Sequence, residues 1–351
     1  MRRRNFIQGI AGSAAAWPLA ARAQRTRRRE FISLLGTVTA GWPLAAGAQQ
    51  SAVPIIGFLN GETADGYTAQ VTAFREALKE TGYIDGQNMA IEYRWANDQY
   101  DRLAALANDL VRQRVSIIVG NTPANLVAKA ATSTIPIVFT TGGDPVKLGL
   151  VGSLNRPGGN VTGVSQLSAE VAPKRLEFLH ELIPGATSFA LLVNPTGPAF
   201  TETGPQEMES AARRLGLQLH VLQASDEREF DGIFTKLAQL RAGGLVISVD
   251  PFFARHAEQL GVQTLRHSVP AIFWRRQFVA AGGLAGYGGN VEESYRLAGV
   301  YAGRILRGER PADLPVQQLT KIELFINLKT AKALGITVPP TLLVAADEVI
   351  Q

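Results

Sequence analysis

From Val53 onward, short runs of branched apolar residues alternate with stretches whose apolar positions recur every three to four residues. The short runs, bounded by glycine, proline and asparagine, read as strands buried on both faces. The longer stretches read as amphipathic helices that cover an open, mostly parallel sheet. The pattern predicts strands at 53–59, 89–93, 115–119 and 135–139. Helices are predicted at 67–81, stopped by Gly82, and at 101–112 and 124–131. The 95–100 segment is expected to be an exposed connection.

Asn155-Arg156-Pro157-Gly158-Gly159-Asn160 is turn-rich punctuation, after which the alternation starts again. Strands are expected at 161–164, 188–193, 218–222, 244–249, 271–273 and 284–287, with helices at 202–215, 228–240, 253–267 and 291–307. Segments 311–319 and 324–328 read as extended chain that recrosses between two halves. The expected fold class is α/β, two doubly wound parallel-sheet lobes joined by a multi-strand hinge. Lobe 1 would hold residues 50–164 plus 288–318, and lobe 2 residues 165–287 plus 319–351. In open α/β sheets the loops at the carboxyl ends of the strands line the ligand crevice, and two such lobes suit capture by hinge closure.

Charge alters the picture at the N-terminus alone. The chain has 351 residues and a net charge of +5, which raises the question of nucleic-acid binding. Residues 1–49, however, hold eight of the 35 basic residues and one of the 30 acidic ones, leaving 27 against 29 in the body. No basic excess remains there to neutralise phosphates, so no nucleic-acid partner is expected.

Arg2-Arg3-Arg4, an apolar stretch and Ala21-Arg22-Ala23 follow the order of a secretory signal, and the order is repeated 25 residues later. Arg3-Arg4-Asn5-Phe6-Ile7 matches Arg28-Arg29-Glu30-Phe31-Ile32, and Trp17-Pro18-Leu19-Ala20-Ala21 matches Trp42-Pro43-Leu44-Ala45-Ala46. Residues 1–48 therefore read as a duplicated export signal, with copies at 1–24 and 26–48 and cleavage near Ala48. Its core resembles the twin-arginine signal. A start codon placed too far upstream explains the duplication equally well. Each apolar run is far shorter than the roughly 20 residues a bilayer needs, so the mature chain is expected not to span a membrane but to be periplasmic. With no cysteine in the chain, disulfides, thiolate metal sites and a lipid-modified N-terminal cysteine are excluded.

Several motifs in the body carry a family resemblance. They are Ile135-Pro136-Ile137-Val138-Phe139 with Gly143-Asp144-Pro145, the run from Leu148 to Val164 containing Asn155-Arg156-Pro157-Gly158-Gly159-Asn160, and Lys174-Arg175-Leu176-Glu177 with Leu182-Ile183-Pro184-Gly185-Ala186. Through them the chain resembles the ABC-transporter substrate-binding proteins related to tryptophan-binding, TrpX-like members, which have a type I periplasmic-binding fold. The resemblance implies solute transport by Venus-flytrap closure: capture of a small organic solute, an amino acid or an aromatic or carboxylate compound, and delivery to an ABC permease and its ATPase. It implies no cofactor. The second-lobe loop Trp274-Arg275-Arg276 departs from the better-known members, which leaves the identity of the solute open.

Candidate ligand-binding residues follow the predicted strands. In the first lobe they are Asn60 and Gly61, then Asn121, Thr122 and Pro123, then Thr141 and Asp144. Thr122 would cap a helix whose first residue is Pro123, where free N–H groups favour a carboxylate. Asp144 either pairs with an ammonium group or fixes the turn before Pro145. In the second lobe the candidates are Asn194, Asp250, Phe252, Trp274 and Arg275. Phe252 and Trp274 would stack on an apolar ligand and Arg275 would take an anionic group, the other reading being a Trp274 that covers the hinge beside solvated arginines. Tyr287 either faces the cleft or plugs the hinge.

No catalytic or metal-binding residue is expected. The four histidines have no metal-ligand spacing, and the chain contains no G-x-S-x-G, G-x-x-x-x-G-K-[ST] or H-E-x-x-H motif. Two other function classes fit the same pattern, a ligand-sensing receptor serving a chemoreceptor or kinase, and an α/β enzyme. A repressor would need a DNA-reading helix pair where the leader stands.

Overall fold

The computed structural model describes residues 53–197 and 200–351, with the side chains of 200–204 left out. The doubled leader and the cleavage point at Ala48 lie outside the described residues.

The first half builds β1 (Ile55–Asn60), α1 (Thr68–Glu80), β2 (Ala90–Trp95), α2 (Leu103–Arg112), β3 (Ile117–Asn121), α3 (Ala124–Ala131), β4 (Ile137–Thr141) and β5 (Val161–Ser165). The second builds α4 (Ala172–Leu182), β6 (Ser188–Val193), α5 (Phe200–Arg214), β7 (Gln218–Gln223), α6 (Phe230–Leu240) and β8 (Leu245–Ile247). It continues through α7 (Pro251–Arg255), α8 (Ala257–Arg266), β9 (Ala271–Phe273), α9 (Arg276–Ala280) and β10 (Ala285–Gly289). After α10 (Val291–Leu306) and β11 (Gln317–Gln318) come β12 (Ile322–Asn327), α11 (Leu328–Ala333), α12 (Pro340–Ala345) and β13 (Glu348–Ile350).

Two sheets result. The first has the order β11-β5-β4-β3-β1-β2 and is parallel throughout. The second has the order β13-β12-β10-β9-β8-β6-β7, and its one antiparallel junction is β10 with β12. The doubly wound α/β reading thus describes the molecule. Ile56 and Phe58 of β1 enter one buried cluster and Leu59 another, so both faces of the strand are covered and the strand reads as an unbroken apolar run.

The chain passes between the sheets after β5, after β10 and after β11. Arg175 on α4 ties two of these passages together. Its Nε donates to the Tyr287 carbonyl and its Nη2 to the Ser168 carbonyl, both at 2.6 Å, and the side chain is fully buried. Burial pushes its pKa down to about 9, which leaves it charged at neutral pH.

Helix α10 follows β10, on the second of these passages, and packs on α1. Asn290 caps it by accepting from the Glu293 amide at 2.9 Å, and Glu292 and Glu293 face the positive end of its dipole. The two helices meet at Gly299, where a Cβ would stand 2.5 Å from the Phe74 carbonyl oxygen. Only glycine allows that approach.

Several boundaries differ from the sequence expectation. The helix expected over 253–267 is two, α7 and α8, broken at His256. The final 24 residues, for which the pattern gave no elements beyond 328, form two short helices and the edge strand β13. The 95–100 segment is only in part the exposed connection expected, with Asn97 and Gln99 exposed and Ala96 buried. Asn97 and Asp98 both take left-handed backbone, and their amides donate to Glu62 O at 3.2 Å and Gly61 O at 2.8 Å. That folds the loop against the β1 turn, from which Tyr100 and Asp98 reach the second lobe.

Candidate functional site

Between the sheets lies a cavity opening onto about 390 Å³ of unfilled space. Its first-lobe wall comes from residues at or just beyond the ends of β1, β3 and β4, namely Glu62, Asn121, Thr122, Thr140 and Gly142, together with Tyr67. Val249, Asp250, Pro251 and Trp274 stand beyond β8 and β9 on the other side, and Gln166 and Val291 belong to the hinge passages. Parallel strands aim their carboxyl ends the same way, which is why residues so distant in sequence converge here.

Asn121 and Thr122 form the upper part of the first-lobe wall. The Asn121 Oδ1 accepts from the Gly61 amide at 3.1 Å, while its buried Nδ2 has no partner. Thr122 Oγ1 donates to Thr141 Oγ1 at 2.8 Å. Pro123, not Thr122, occupies the N-cap position of α3, and no side chain caps that helix. The expected threonine cap is therefore replaced by a hydroxyl committed to the neighbouring strand, and the first amides of α3 keep no side-chain acceptor. An orphaned amide donor beside an uncapped helix N-terminus suits a carboxylate.

Asp250 dominates the second wall. Its Oδ1 accepts from the Phe252 amide at 2.8 Å, from Asn194 Nδ2 at 3.0 Å and from the first-lobe Tyr100 hydroxyl at 3.4 Å. Burial pushes its pKa up to about 6, against the pull of these donors. Glu62, equally buried, has a pKa raised to about 8. Burial is the leading cause; the Arg275 guanidinium opposes it but stands 3.8 Å away, too far for a hydrogen bond. Asp98 and Arg255 close a further ion pair across the lobes. Three carboxylates, Glu62, Asp98 and Asp250, thus face two guanidiniums, Arg255 and Arg275. When all are ionised, the cleft has room for one more cation.

Raised carboxylate pKa values have a signed consequence for stability. Glu62 and Asp250 hold protons in the folded state at pH values where the unfolded chain has lost them. Their contribution to stability is therefore intact at low pH and lost as pH rises toward about 6 for Asp250 and about 8 for Glu62. Thermal scans of the ligand-free protein should show a melting temperature that falls between pH 5.5 and pH 8.5, by less in Glu62→Gln. A rise over that interval in the wild type, with the variant parallel to it, would contradict the assignment.

Of the residues anticipated from sequence, Asn121, Thr122, Asp250 and Trp274 line the cavity. Others support it. Asn60 holds the β1 turn through the Glu62 amide at 2.9 Å and the Tyr295 hydroxyl at 3.3 Å. Gly61 and Pro123 pack together beside Tyr100, Thr141 braces Thr122, and Asn194 orients Asp250. Arg275 lies behind Trp274, its guanidinium 4.5 Å from the ring centre. Three residues stand elsewhere. Asp144 fixes a turn, accepting from the amides of Val146 at 2.8 Å and Lys147 at 3.3 Å, which is the turn reading of the two. Phe252 packs into the lobe-two core against Phe230 and His256, and Tyr287 meets Phe178 edge-on at 4.7 Å, plugging the hinge. Arg276 is exposed, as expected, and makes a two-pronged pair with Glu348.

Among the described residues no cluster of histidine, cysteine or acidic side chains could hold a metal ion, and no helix is long and apolar enough to cross a membrane. The profile of the ABC transporter substrate binding protein family matches residues 52–350. The chain belongs to that family. A tyrosine-binding protein of Clostridioides difficile is 29% identical over 258 residues, 71% of this chain and 72% of the relative. Two solved structures are similar at nearly equal sequence distance. The domain from Streptococcus pneumonia in complex with L-Trp superposes with a TM-score of 0.77 at 25% identity, over 85% of this chain and 99% of that one. The ligand-free, open protein with adhesive properties from Clostridium difficile gives 0.61 at 26% identity, over 85% and 100%. In this substrate-binding protein Tyr100 meets Asp250 and Asp98 meets Arg255 across the cleft.

Proposed function

We propose that this family member is an exported receptor for a free amino acid, which it captures between its lobes without chemical change and delivers to an ABC permease and ATPase. The carrying observation is the opposition of two chemistries in one cavity, an unpartnered buried amide beside an uncapped helix N-terminus at Asn121–Thr122 on the first lobe and the buried carboxylate of Asp250 on the second. A zwitterion satisfies both ends at once, its carboxylate on the first lobe and its ammonium group on the second. The tyrosine-binding relative and the L-Trp complex support the same class of solute. Export to the periplasm is supported by the doubled leader, with the twin-arginine-like core and cleavage near Ala48.

A thermal-shift screen of the chain beginning at Gln49, against the common amino acids and their des-amino and amide analogues, tests the reading. A ligand that binds only the folded state adds about 2.7 kcal/mol at 100 times its Kd. The expected result is a saturable rise in melting temperature for one group of amino acids, lost when either the amino or the carboxyl group is removed, with the ligand recovered unchanged. A shift that survives removal of the amino group would sink the zwitterion reading, and consumption of the ligand would point to an enzyme.

A further inference from the structure

A second cavity, opening onto about 740 Å³ of unfilled space, adjoins the first and shares two of its residues, Trp274 and Val291. Trp274 is the one large side chain of the pair. It is 8% exposed, its Nε1 has no partner, and the Arg275 guanidinium covers one face of its ring at 4.5 Å. Its backbone is seated against Gly288, where a Cβ would come within 2.9 Å of the Trp274 carbonyl oxygen. The indole is therefore held from behind while it stands between two spaces.

We infer that Trp274 is the specificity-determining residue of the cleft, a partition that confines the solute's side chain to the inner cavity and shuts it out of an outer one suited to a cationic chain end. The inference rests on the amino-acid reading above. The chemistry of the outer cavity follows from its charged groups. Arg276 makes a two-pronged pair with Glu348, while Arg275 lies over the Trp274 ring with Glu62 3.8 Å away. Glu323 is shared between Lys321 and Asn290, while Glu292 is exposed and in no ion pair among the described residues. Arg276 is thus paired and Arg275 is held against Trp274, so Glu292 is the unpaired carboxylate of a lining that also includes Gln70, Gln277 and Asn290.

The test compares L-leucine, L-arginine and L-glutamate by isothermal titration on the chain beginning at Gln49 and its Trp274→Ala variant. Opening the partition should weaken leucine, which loses the indole, and admit the arginine side chain, moving the arginine-to-leucine affinity ratio by about tenfold or more, with glutamate not gaining. An unchanged ratio, or an equal gain for glutamate, would overturn the inference while leaving the amino-acid reading intact. Failure of the unaltered protein to bind any amino acid would remove that reading, and this inference with it. Should the alanine variant fail to fold, Trp274→Leu provides the same comparison. A second readout is independent of truncation. Trp95 and Trp274 are the only tryptophans in the described residues, so in a Trp95→Phe background a bound amino acid must change the emission of Trp274. Binding without such a change would place the solute away from the indole and overturn the proposal.

Discussion

Asp250→Asn is expected to weaken capture of an amino acid by about 100-fold, the scale on which losing one partner of a buried charge pair is felt. The substitution keeps the shape of the side chain and an oxygen for Phe252 N–H, Asn194 and Tyr100, so the loop and the start of α7 should hold. What disappears is the negative charge opposite the ammonium group. The ligand-free variant should be no less stable than the wild type above pH 6, because burial disfavours ionised Asp250 and asparagine carries no charge to desolvate. Titration calorimetry with the amino acid and its des-amino analogue decides the matter. A loss confined to the amino acid supports an ammonium at Asp250, whereas equal losses for both would mean that the aspartate only shapes the loop.

A second large effect is expected at Phe58, on stability. The ring is fully buried beneath the β1 turn, with the rings of Phe74, Tyr93, Trp95 and Tyr295 between 5.5 and 5.7 Å from its centre. Phe58→Ala should cost about 4 kcal/mol, from lost transfer energy and the cavity left behind. For a domain of this size that lowers the melting temperature by about 10 °C, and Phe58→Leu should cost less than half as much. Tyr295 packs on this ring and accepts from Asn60, which in turn holds the Glu62 amide, so the alanine variant should also bind more weakly. A thermal scan within 2 °C of wild type would contradict this account of the aromatic cluster.

The sequence was most legible where a local rule determines the outcome. Strands buried on both faces announce themselves as apolar runs, and the helix at Ala124–Ala131 and the strands at Ser188–Val193 and Ala271–Phe273 were read to the residue. Placing candidate contacts after strand ends also worked for Asn121, Thr122, Asp250 and Trp274, because parallel strands bring those ends to one side.

The rest depended on partners distant in the chain. Whether Asp144 meets a ligand or its own turn, and whether Phe252 faces the cleft or the core, depends on which way a side chain leaves the backbone. Glu62 became part of the site through Arg275, and the 95–100 loop through Asp250 and Arg255, contacts that span 150 residues or more. On its own, then, the sequence determined the α/β alternation, the near-neutral body, the absence of cysteine chemistry and the edge on which to look. The tertiary structure alone decided which side chains are buried together. Desolvation by groups far apart in sequence raises the pKa values of Glu62 and Asp250, and no local pattern encodes it.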